Sequence, residues 1–443
     1  MKYLKQADPE IYSLIKAEEK RQAETLMMIP SENMSSQAVL DSVGSCLGNK
    51  YAEGYPFKRY YQGQDVVDQV ETLAIERAKK VFGVPHANVQ ALSGSPANLA
   101  AYVAMIKPGD KIMGLDLSHG GHLTHGAKVS VSSMFFKSVS YTLGKDGKMD
   151  YQAIEKLALK EKPQVIVAGI TAYPLQVDWA KFAKIAKKVG AFLMADIAHL
   201  AGLVAGEAYP SPVPYVHLVT TTTHKTLRGP RGALIMVTDK GLKKDPELAK
   251  RVDQAVFPRL QGGPHMNAIA GIAVALKEAQ TARFKKYAAK IVKNSQVLAD
   301  ELNKYGFNLV AGGSNTHLIL IDLTNKGLLG NTVAEAFEAA SIVLNRNSVP
   351  HDPNPPFYPS GIRMGTPGIT TRGMGAREMK IIAKCMNNIV DDLAEIKLKE
   401  DIQMDQEKKA SIRKKMIAKS KAVRDSKKII KELCKKYPLP KIY

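Results

Sequence analysis

Short apolar runs and helical periodicity alternate through the middle of the chain. The runs QVIVAGI and AFLMAD are almost wholly apolar, as expected of buried strands. Between them, residues 179–189 place Phe182, Ile185 and Val189 on one face of a helix. A strand–helix–strand unit of this kind predicts a parallel sheet. A further strand follows in VHLVTTTTHK, which is rich in β-branched threonine.

The two ends of the chain show different patterns. Residues 9–27 predict a helix, and the link IPSEN follows it. We expect this segment to be an arm over residues 1–35 that packs on a neighbouring subunit, because it cannot bury itself alone. Near the other end, a helix over residues 283–305, the strand THLILIDL and the loop SGIRMGTPG indicate an α+β unit. The expected fold class is therefore α/β, with a large domain over 36–280 whose sheet is mostly parallel, and a smaller C-terminal domain over 281–443.

Composition narrows the class of protein. The 443 residues are 45% hydrophobic and 24% charged, which is typical of globular proteins with two or three domains. The first residues carry charges throughout and no signal-like apolar region, and no apolar span is long enough for a membrane, so we expect a cytoplasmic protein. Cys46, Cys385 and Cys434 lie far apart without a CxxC pair, which argues against a disulfide framework or a zinc site.

The formal net charge is +21, and basic chains often bind nucleic acid. Residues 397–443 hold 16 Lys and Arg against 6 Asp and Glu, a net of +10. This basic tail has only Tyr437 and Tyr443 as aromatic residues and lacks the signatures of nucleic-acid binding. A solvated helical face is therefore favoured over a specific nucleic-acid site.

Two polar residues follow the predicted strands directly. Lys225 comes just after the threonine-rich strand, and a lysine in a partly desolvated pocket loses proton affinity and becomes reactive towards carbonyl groups. The alternative is a surface-loop lysine, so its surroundings must decide. Asp196 ends the strand AFLMAD, with His199 three residues later. Ligands collect at the carboxyl ends of parallel strands, although Asp196 could instead cap a helix.

A helix is expected to begin within ALSGSPANLAAYVAMI. Ser95 is a suitable N-cap and Pro96 suits the first helical position. The free amides of such an N-terminus can bind phosphate, and Gly94 allows close approach. A capped helix without a ligand is the alternative.

Two further motifs have irregular composition. In HGGHLTHG, His119, His122 and His125 are three residues apart, but the glycines argue against a helix that would align them as metal ligands, and no partner carboxylate or cysteine has ligand spacing. The flat ring of His122 could instead stack on an aromatic cofactor. YAEGYPFKRYY indicates a loop with a polar function, or aromatic packing at an interface.

These motifs together carry a family resemblance. TTTTHKTLRGPRG resembles the cofactor-lysine motif of serine hydroxymethyltransferase, and IPSEN, YAEGYPFKRYY, HGGHLTHG, FPRLQGGP, NSVPHDP and SGIRMGTP match the same family in order. The likeness covers nearly the whole chain. It implies a pyridoxal-phosphate-dependent transferase of the aspartate-aminotransferase-like fold, with tetrahydrofolate or a related pterin as co-substrate. It also implies a homodimer with shared active sites, possibly a tetramer.

The resemblance assigns residues to roles. For catalysis it implies Lys225 as the residue that binds the cofactor covalently, Asp196 at the pyridine nitrogen, Glu53 in proton transfer, and His224 beside the lysine. The residues implied at the cofactor are Lys225, Gly94, Ser95, His122, Thr171, Asp196, His199, His224, Tyr51 and Gly263. The residues implied at serine or folate are Ser31, Tyr61, Arg363, Leu117, Gly121, His122, Leu123 and Asn347, with Arg363 binding the substrate carboxylate.

Some positions depart from the family pattern, and some rival functions stay open. The departures are Pro96, Thr171, Pro355 and the pair Arg259–Leu260. A related aldolase or glycine acyltransferase of the same fold would share Lys225 and Asp196, but would not need HGGHLTHG or NSVPHDP. A basic RNA-binding protein would account for the charge but not for the polar loops.

Overall fold

The computed structural model describes residues 1–396 and 404–440. The ends of the basic tail, including Tyr443, lie outside the described residues. The strands are β1 Leu26–Met27, β2 Gly54–Tyr55, β3 Lys58–Arg59, β4 His86–Asn88, β5 Lys111–Leu115, β6 Lys137–Tyr141, β7 Val165–Gly169, β8 Phe192–Asp196, β9 Leu218–Thr222, β10 Ala233–Val237, β11 Asn308–Leu309, β12 Leu318–Asp322, β13 Ile342–Val343, β14 Asn345–Asn347 and β15 Gly361–Gly365.

Helices alternate with these strands. They are α1 Lys2–Ala7, α2 Pro9–Glu24, α3 Gln37–Val43, α4 Asp65–Phe82, α5 Gly94–Met105, α6 Val131–Phe135, α7 Tyr151–Glu161, α8 Trp179–Val189, α9 Ala201–Ala205, α10 Asp239–Lys244, α11 Leu248–Gln254, α12 Met266–Ala279, α13 Ala282–Lys304, α14 Gly330–Ala339, α15 Pro367–Thr371, α16 Ala376–Glu395, α17 Gln406–Lys419 and α18 Lys421–Lys436. Among the described residues, no helix is long and apolar enough to cross a membrane.

The central sheet confirms the predicted parallel architecture. Its strand order is β4-β10-β9-β8-β7-β5-β6, and within this sheet β10 is antiparallel to the other six strands. Successive side chains of a strand point to opposite faces, so Val165 and Val167 of β7 enter one apolar core while Ile166 and Ala168 enter another. Both faces are covered by helices, which explains why these strands are almost wholly apolar.

A third core contains the smaller antiparallel sheet β11-β12-β15-β14. The helix α13 contributes to this core through Leu298 and Leu302, and to one core of the large sheet through Phe284 and Ile291. The predicted boundary near residue 280 therefore falls at the start of a helix shared by both parts. The domain limits themselves stay a prediction.

The N-terminal arm differs from the sequence prediction in its last turn. The helix α2 ends at Glu24 instead of residue 27, because Leu26 and Met27 pair with β13 of the small domain. Arg372 fixes this arrangement, and it is mostly buried. It donates to main-chain carbonyls at both ends of the chain, those of Gln22, Ala23, Thr25, Cys434 and Tyr437. Part of the arm is thus packed on its own subunit.

The basic tail is only partly the solvated surface that its composition predicts. The helix α18 buries Val423, Ile430 and Leu433 in the small-domain core. In α17, Lys409 is only 3% exposed, and its ammonium lies 3.8 Å from the centroid of the Tyr358 ring. Much of the remaining lysine-rich surface is exposed, as expected of a solvated helical face.

Candidate active site

The lysine loop, residues 223–232, follows β9 as the sequence predicts. Its threonines are buried but satisfied: Thr223 Oγ1 donates to the Pro230 carbonyl at 2.6 Å, and Thr226 Oγ1 donates to the His199 carbonyl at 3.1 Å. Gly229 folds back so that its amide donates to the Thr223 carbonyl at 2.7 Å. A Cβ at Gly229 would lie 2.9 Å from that oxygen, so the loop requires glycine here. The closed loop holds Lys225 just beyond the sheet.

The amine of Lys225 has lost much of its proton affinity. Burial lowers its pKa from 10.5 to about 8, the positive charges of Arg363 and Arg231 act in the same direction, and Asp196 opposes them. Charge burial without full compensation is what makes a lysine available as a nucleophile near neutral pH. The interpretation of Lys225 as a surface-loop lysine is therefore not supported.

Asp196 lies at the end of β8, beside the strand that leads to Lys225. Its Oδ2 accepts hydrogen bonds from His125 Nε2 at 2.9 Å and from Asn98 Nδ2 at 2.8 Å, and its Oδ1 accepts one from the Ala198 amide at 3.0 Å. Burial alone would raise its pKa, but the hydrogen bond and charge of His125 hold the pKa well below its usual range. The carboxylate stays ionised in a buried position.

His125 is a site residue whose contact with Asp196 was not predicted. Two glycines make room for it: a Cβ at Gly114 would lie 2.4 Å from the His125 carbonyl oxygen, and one at Gly169 would lie 2.6 Å from Cε1 of its ring. Asn98 was also missed. Its Nδ2 donates to Thr124 as well as to Asp196, and its own oxygen accepts from Thr220 Oγ1 at 2.7 Å.

The three histidines of HGGHLTHG have separate partners. The His119 ring packs edge-on against His351 at 4.7 Å, and its Nδ1 accepts from the Leu143 amide. His122 Nδ1 lies 2.7 Å from Thr124 Oγ1, and burial lowers the pKa of His122 to about 4. Within the described part of the chain, no group of three or more metal-ligand side chains comes together. A neutral, partly buried imidazole at position 122 suits stacking on an aromatic ring.

The helix α5 begins at Gly94, and its N-cap is Ser93, so the sequence prediction placed this boundary two residues late. Ser95 is thus in the first turn and is not the cap. A Cβ at Gly94 would lie 2.8 Å from the Thr222 methyl, because the helix start packs against the end of β9. The helix amides near Gly94 and Ser95, which the sequence predicts as a phosphate site, therefore lie close to the start of the lysine loop.

Arg363 lies in the strand β15 and not in a loop, so that part of the sequence prediction was wrong. Its Nε donates to Asn345 Oδ1 at 3.2 Å and its Nη1 donates to the Thr171 carbonyl at 2.6 Å. It is 8% exposed, and burial lowers its pKa to about 10. Thr171 contributes through its backbone, which also bonds to Gly120.

Other histidines surround the lysine. His199 Nδ1 lies 3.2 Å from Nε2 of His317, a small-domain residue that sequence reasoning missed, and burial lowers the pKa of both. His224 also has its pKa lowered to about 4 by burial, and its Nδ1 is buried without a hydrogen-bond partner in the described structure.

A second polar cluster surrounds Glu53. Glu53 accepts from Tyr61 at 3.1 Å and from Tyr51 at 3.4 Å, and all three side chains are exposed or partly exposed. A Cβ at Gly263 would lie 3.3 Å from the Tyr51 ring, so the FPRLQGGP motif belongs to the same cluster. The segment predicted as a loop forms the hairpin β2–β3.

The hairpin is fixed by Arg59, which sequence reasoning missed. Its side chain is buried and makes ion pairs with Asp68 at 2.8 Å and Glu71 at 2.7 Å.

The remaining candidates lie around the site's edges. Ser31 follows Pro30, which packs against Gly365 at the end of the strand that carries Arg363. Leu117 and Leu123 are 46% and 44% exposed. Gly121 is buried, and a Cβ there would lie 1.9 Å from the Leu115 carbonyl oxygen. Asn347 is partly buried in β14, and its side chain donates to the Ser348 carbonyl at 2.7 Å.

Comparison with known proteins gives the same family as the motifs. The family model described as serine hydroxymethyltransferase matches residues 4–386. A serine hydroxymethyltransferase of Desulfotalea psychrophila is 56% identical over 392 residues, which cover 88% of this chain and 91% of the relative. One of Acidothermus cellulolyticus is 55% identical over 388 residues, covering 87% and 89%. The chain therefore belongs to the serine hydroxymethyltransferase family.

Proposed function

We propose that this chain transfers the hydroxymethyl carbon of serine reversibly to tetrahydrofolate, giving glycine and 5,10-methylenetetrahydrofolate. The observation that carries the proposal is the pairing of a low-pKa amine, Lys225, with a buried ionised carboxylate, Asp196, at the ends of adjacent parallel strands. Family membership gives the reaction class. The three free thiols are compatible with a reducing compartment, and we propose a cytoplasmic location.

The residues present fit pyridoxal phosphate. They offer an amine for its aldehyde, a carboxylate for its ring nitrogen, a neutral imidazole at His122 for its face, and the start of α5 for its phosphate. When bound, the cofactor draws electrons from the α-carbon of the substrate. We assign Gly94, Ser95, Thr171, His199 and His224 to its surroundings.

The chain's own groups would then act at defined atoms. Asp196 holds a proton on the ring nitrogen, and His125 and Asn98 keep this carboxylate ionised and oriented. Lys225 would hold the cofactor in place, and its amine, with a pKa of about 8, could accept or donate a proton beside the substrate. Arg363 binds the serine carboxylate, since its described hydrogen bonds use only Nε and Nη1. We assign Ser31 to the same substrate.

For the folate side we propose an apolar wall next to a carboxylate. Leu117 and Leu123 expose apolar surface beside Gly121, where the main chain leaves no room for a side chain. Glu53 would move a proton at the serine hydroxyl or at the folate nitrogen. Asn347 completes the assignment at the small-domain side of the site.

We further propose that two subunits share each site. The hydrogen bonds described for the Glu53 side chain are to Tyr51 and Tyr61, next to the β2–β3 hairpin. Exposed tyrosines around Glu53, with Tyr51 58% and Tyr61 45% exposed, provide a surface that a second copy could cover. Glu53, Tyr51, Tyr61 and Gly263 would thus serve the partner's Lys225.

The proposed reaction is tested by its dependence on tetrahydrofolate. Purified enzyme loaded with pyridoxal phosphate should form glycine from serine at a high rate only when tetrahydrofolate is present, and Lys225→Ala should remove both this activity and the visible absorbance of bound cofactor. Serine cleavage that is equally fast without folate would instead indicate a related aldolase. Formation of a ketone from glycine and an acyl thioester would indicate an acyltransferase.

Subunit sharing is tested by mixing variants. Lys225→Ala and Glu53→Gln chains should each be nearly inactive, but after they are unfolded and refolded together each mixed dimer has one site with neither change. Random pairing makes about half the dimers mixed, so about a quarter of the parent activity should return. Proven heterodimers without activity would refute sharing while leaving the role of Lys225 intact.

A further inference from the structure

A cavity of about 500 Å³ lies behind the lysine loop. Its walls are formed by residues 34–36, Arg228 of the lysine loop, Glu278, the start of α13 with its N-cap Thr281, the residues Thr370, Thr371 and Gly373, and Pro440. We call it the rear cavity. Among the described residues, none of the side chains that line it is assigned above to the cofactor, serine or folate.

The rear cavity is strongly basic. Arg228, Arg283, Lys286 and Lys290 line it, against the single carboxylate of Glu278. In the described part of the chain, Arg283 and Lys286 make no side-chain hydrogen bond or ion pair, and Lys290 donates only to the Gly373 carbonyl. Glu278 approaches Arg228 no closer than 3.9 Å. Cations gathered around one concave surface repel one another and raise the local concentration of anions.

Arg228 is held in place more firmly than a surface arginine. Its backbone has a φ of 61°, and its guanidinium carbon lies 4.6 Å from the Tyr287 ring centroid and 6.0 Å from that of Phe284. Its Nε is buried without an acceptor in the described structure. The protein thus fixes the plane of this guanidinium while leaving donors unused, and a fixed guanidinium is suited to binding phosphate oxygens.

The cavity wall is bonded to the backbone on both sides of Arg228. Tyr287, which stacks on Arg228, accepts a hydrogen bond at 2.7 Å from Asn33 Nδ2, and the same Nδ2 donates to the Lys225 carbonyl at 2.9 Å. On the other side, Ser35 Oγ donates to the Gly229 carbonyl at 3.0 Å. An anion bound by Arg228 would therefore also restrain the lysine loop.

We propose that the rear cavity is a second binding site, specific for a small phosphorylated anion, and that its occupancy stiffens the lysine loop. The site is distinct from the one proposed for the cofactor phosphate at α5. It rests on the contacts of Arg228 and α13 alone and does not require the proposed reaction to be correct. The cavity volume is within the range of small-molecule sites.

Binding is tested with pyrophosphate as the probe. Isothermal titration of enzyme already saturated with pyridoxal phosphate, at constant ionic strength, should show saturable binding to the parent. The double variant Arg283→Ala/Lys286→Ala should weaken it by about tenfold or more, as expected for two lost charge-assisted contacts. Both residues are exposed on the first turns of α13, so truncation leaves the core unchanged.

The matched control is Lys285→Ala/Lys293→Ala, which removes the same charge from the same helix outside the cavity lining. It should change the dissociation constant by less than about twofold. Absence of saturable binding to the parent, or an equal loss in both double variants, would overturn the proposal, because the attraction would then come from overall charge.

The connection to the lysine loop is tested by amide hydrogen exchange. Saturating pyrophosphate should slow exchange in the peptide that spans residues 223–232 of the parent, and this protection should disappear in Arg283→Ala/Lys286→Ala but not in the control. Unchanged exchange despite proven binding would refute the stiffening of the loop. If the parent enzyme binds pyrophosphate but does not cleave serine, only the proposed reaction is contradicted.

Discussion

Gly169→Ala should disturb the site without replacing any residue that is assigned to a ligand. Gly169 ends β7 and pairs with Asp196 of β8. An alanine Cβ there would lie 2.6 Å from Cε1 of His125 and 2.8 Å from Cβ of Asp196, distances that carbon atoms do not adopt without movement. The strand and the carboxylate are both buried, so the strain must be relieved by moving the His125 ring or the backbone.

The magnitude follows from which of these moves. Shifting the backbone to admit one extra methyl group in a packed core costs about 1–3 kcal/mol. Swinging His125 away would instead lose its charge-assisted hydrogen bond to Asp196, worth about 1.5–3 kcal/mol. These are alternative ways of relieving the same contact and are not added, so we expect the free energy of unfolding to fall by about 2 kcal/mol. If His125 moves, the pKa of Asp196 also rises, and affinity for the cofactor should fall by about tenfold for each 1.4 kcal/mol lost.

Two assays separate these outcomes. Trp179 is the only tryptophan and is buried in the large-domain core, so its fluorescence during urea denaturation of the apoprotein reports that domain. Titration with pyridoxal phosphate reports the site. Gly44→Ala is the control, because its Cβ would meet only the Leu40 carbonyl at an ordinary 3.5 Å and should change stability by less than about 1 kcal/mol. If both variants unfold at the same urea concentration and bind the cofactor equally, the crowding around His125 does not constrain the site.

Four further outcomes are expected. The rate at which the apoprotein reacts with pyridoxal phosphate, measured by absorbance, should rise with pH around a midpoint of about 8, because the neutral amine of Lys225 forms well below 10.5. A midpoint near 10.5 would contradict the argument that burial lowers the pKa of Lys225. In the absence of cofactor, the free energy of unfolding of the parent should increase as the pH rises from about 8 to 10.5, since Lys225 binds more protons in the unfolded state than in the folded state over this range. Urea denaturation of Lys225→Met should show no such increase. Arg363→Ala should lower kcat/KM for serine by more than about two decades, through about 3–5 kcal/mol of lost pairing, and unchanged kinetics would exclude Arg363 as the carboxylate ligand. Arg372→Ala should lose about 3 kcal/mol or more of stability, because five carbonyls lose one charged donor, and an unchanged melting temperature would show that the two chain ends are held by other contacts.

The parallel sheet and the position of Lys225 could be predicted because both depend on local pattern. Strands buried on both faces are apolar throughout, and the residue after such a strand emerges at the sheet edge. The pairing of His125 with Asp196 could not be predicted in this way. The two residues are 71 positions apart, and their contact depends on the space left by Gly114 and Gly169 in two other strands.

Glycine also explains the error at Arg363. The sequence SGIRMGTPG resembles a loop because glycine is common in turns. In the structure, a Cβ at Gly361 would lie 2.5 Å from the Val349 side chain, and one at Gly365 would lie 2.8 Å from Pro30. These glycines permit close approach within a sheet, and neither has a positive φ. Sequence alone does not distinguish crowding by distant segments from a turn.

The charges of the site explain why so many histidines can surround the lysine. Lys225 and Arg363 are partly desolvated cations, with Asp196 as the buried carboxylate opposite them. Burial lowers the pKa of His122, His199, His224 and His317, so at neutral pH these rings add hydrogen-bonding groups without adding positive charge. The remaining positive excess matches the phosphate of the proposed cofactor and the carboxylate of serine. Because each of those anions would reduce the desolvation cost of the cations, we infer that ligand binding and the stability of this region are coupled.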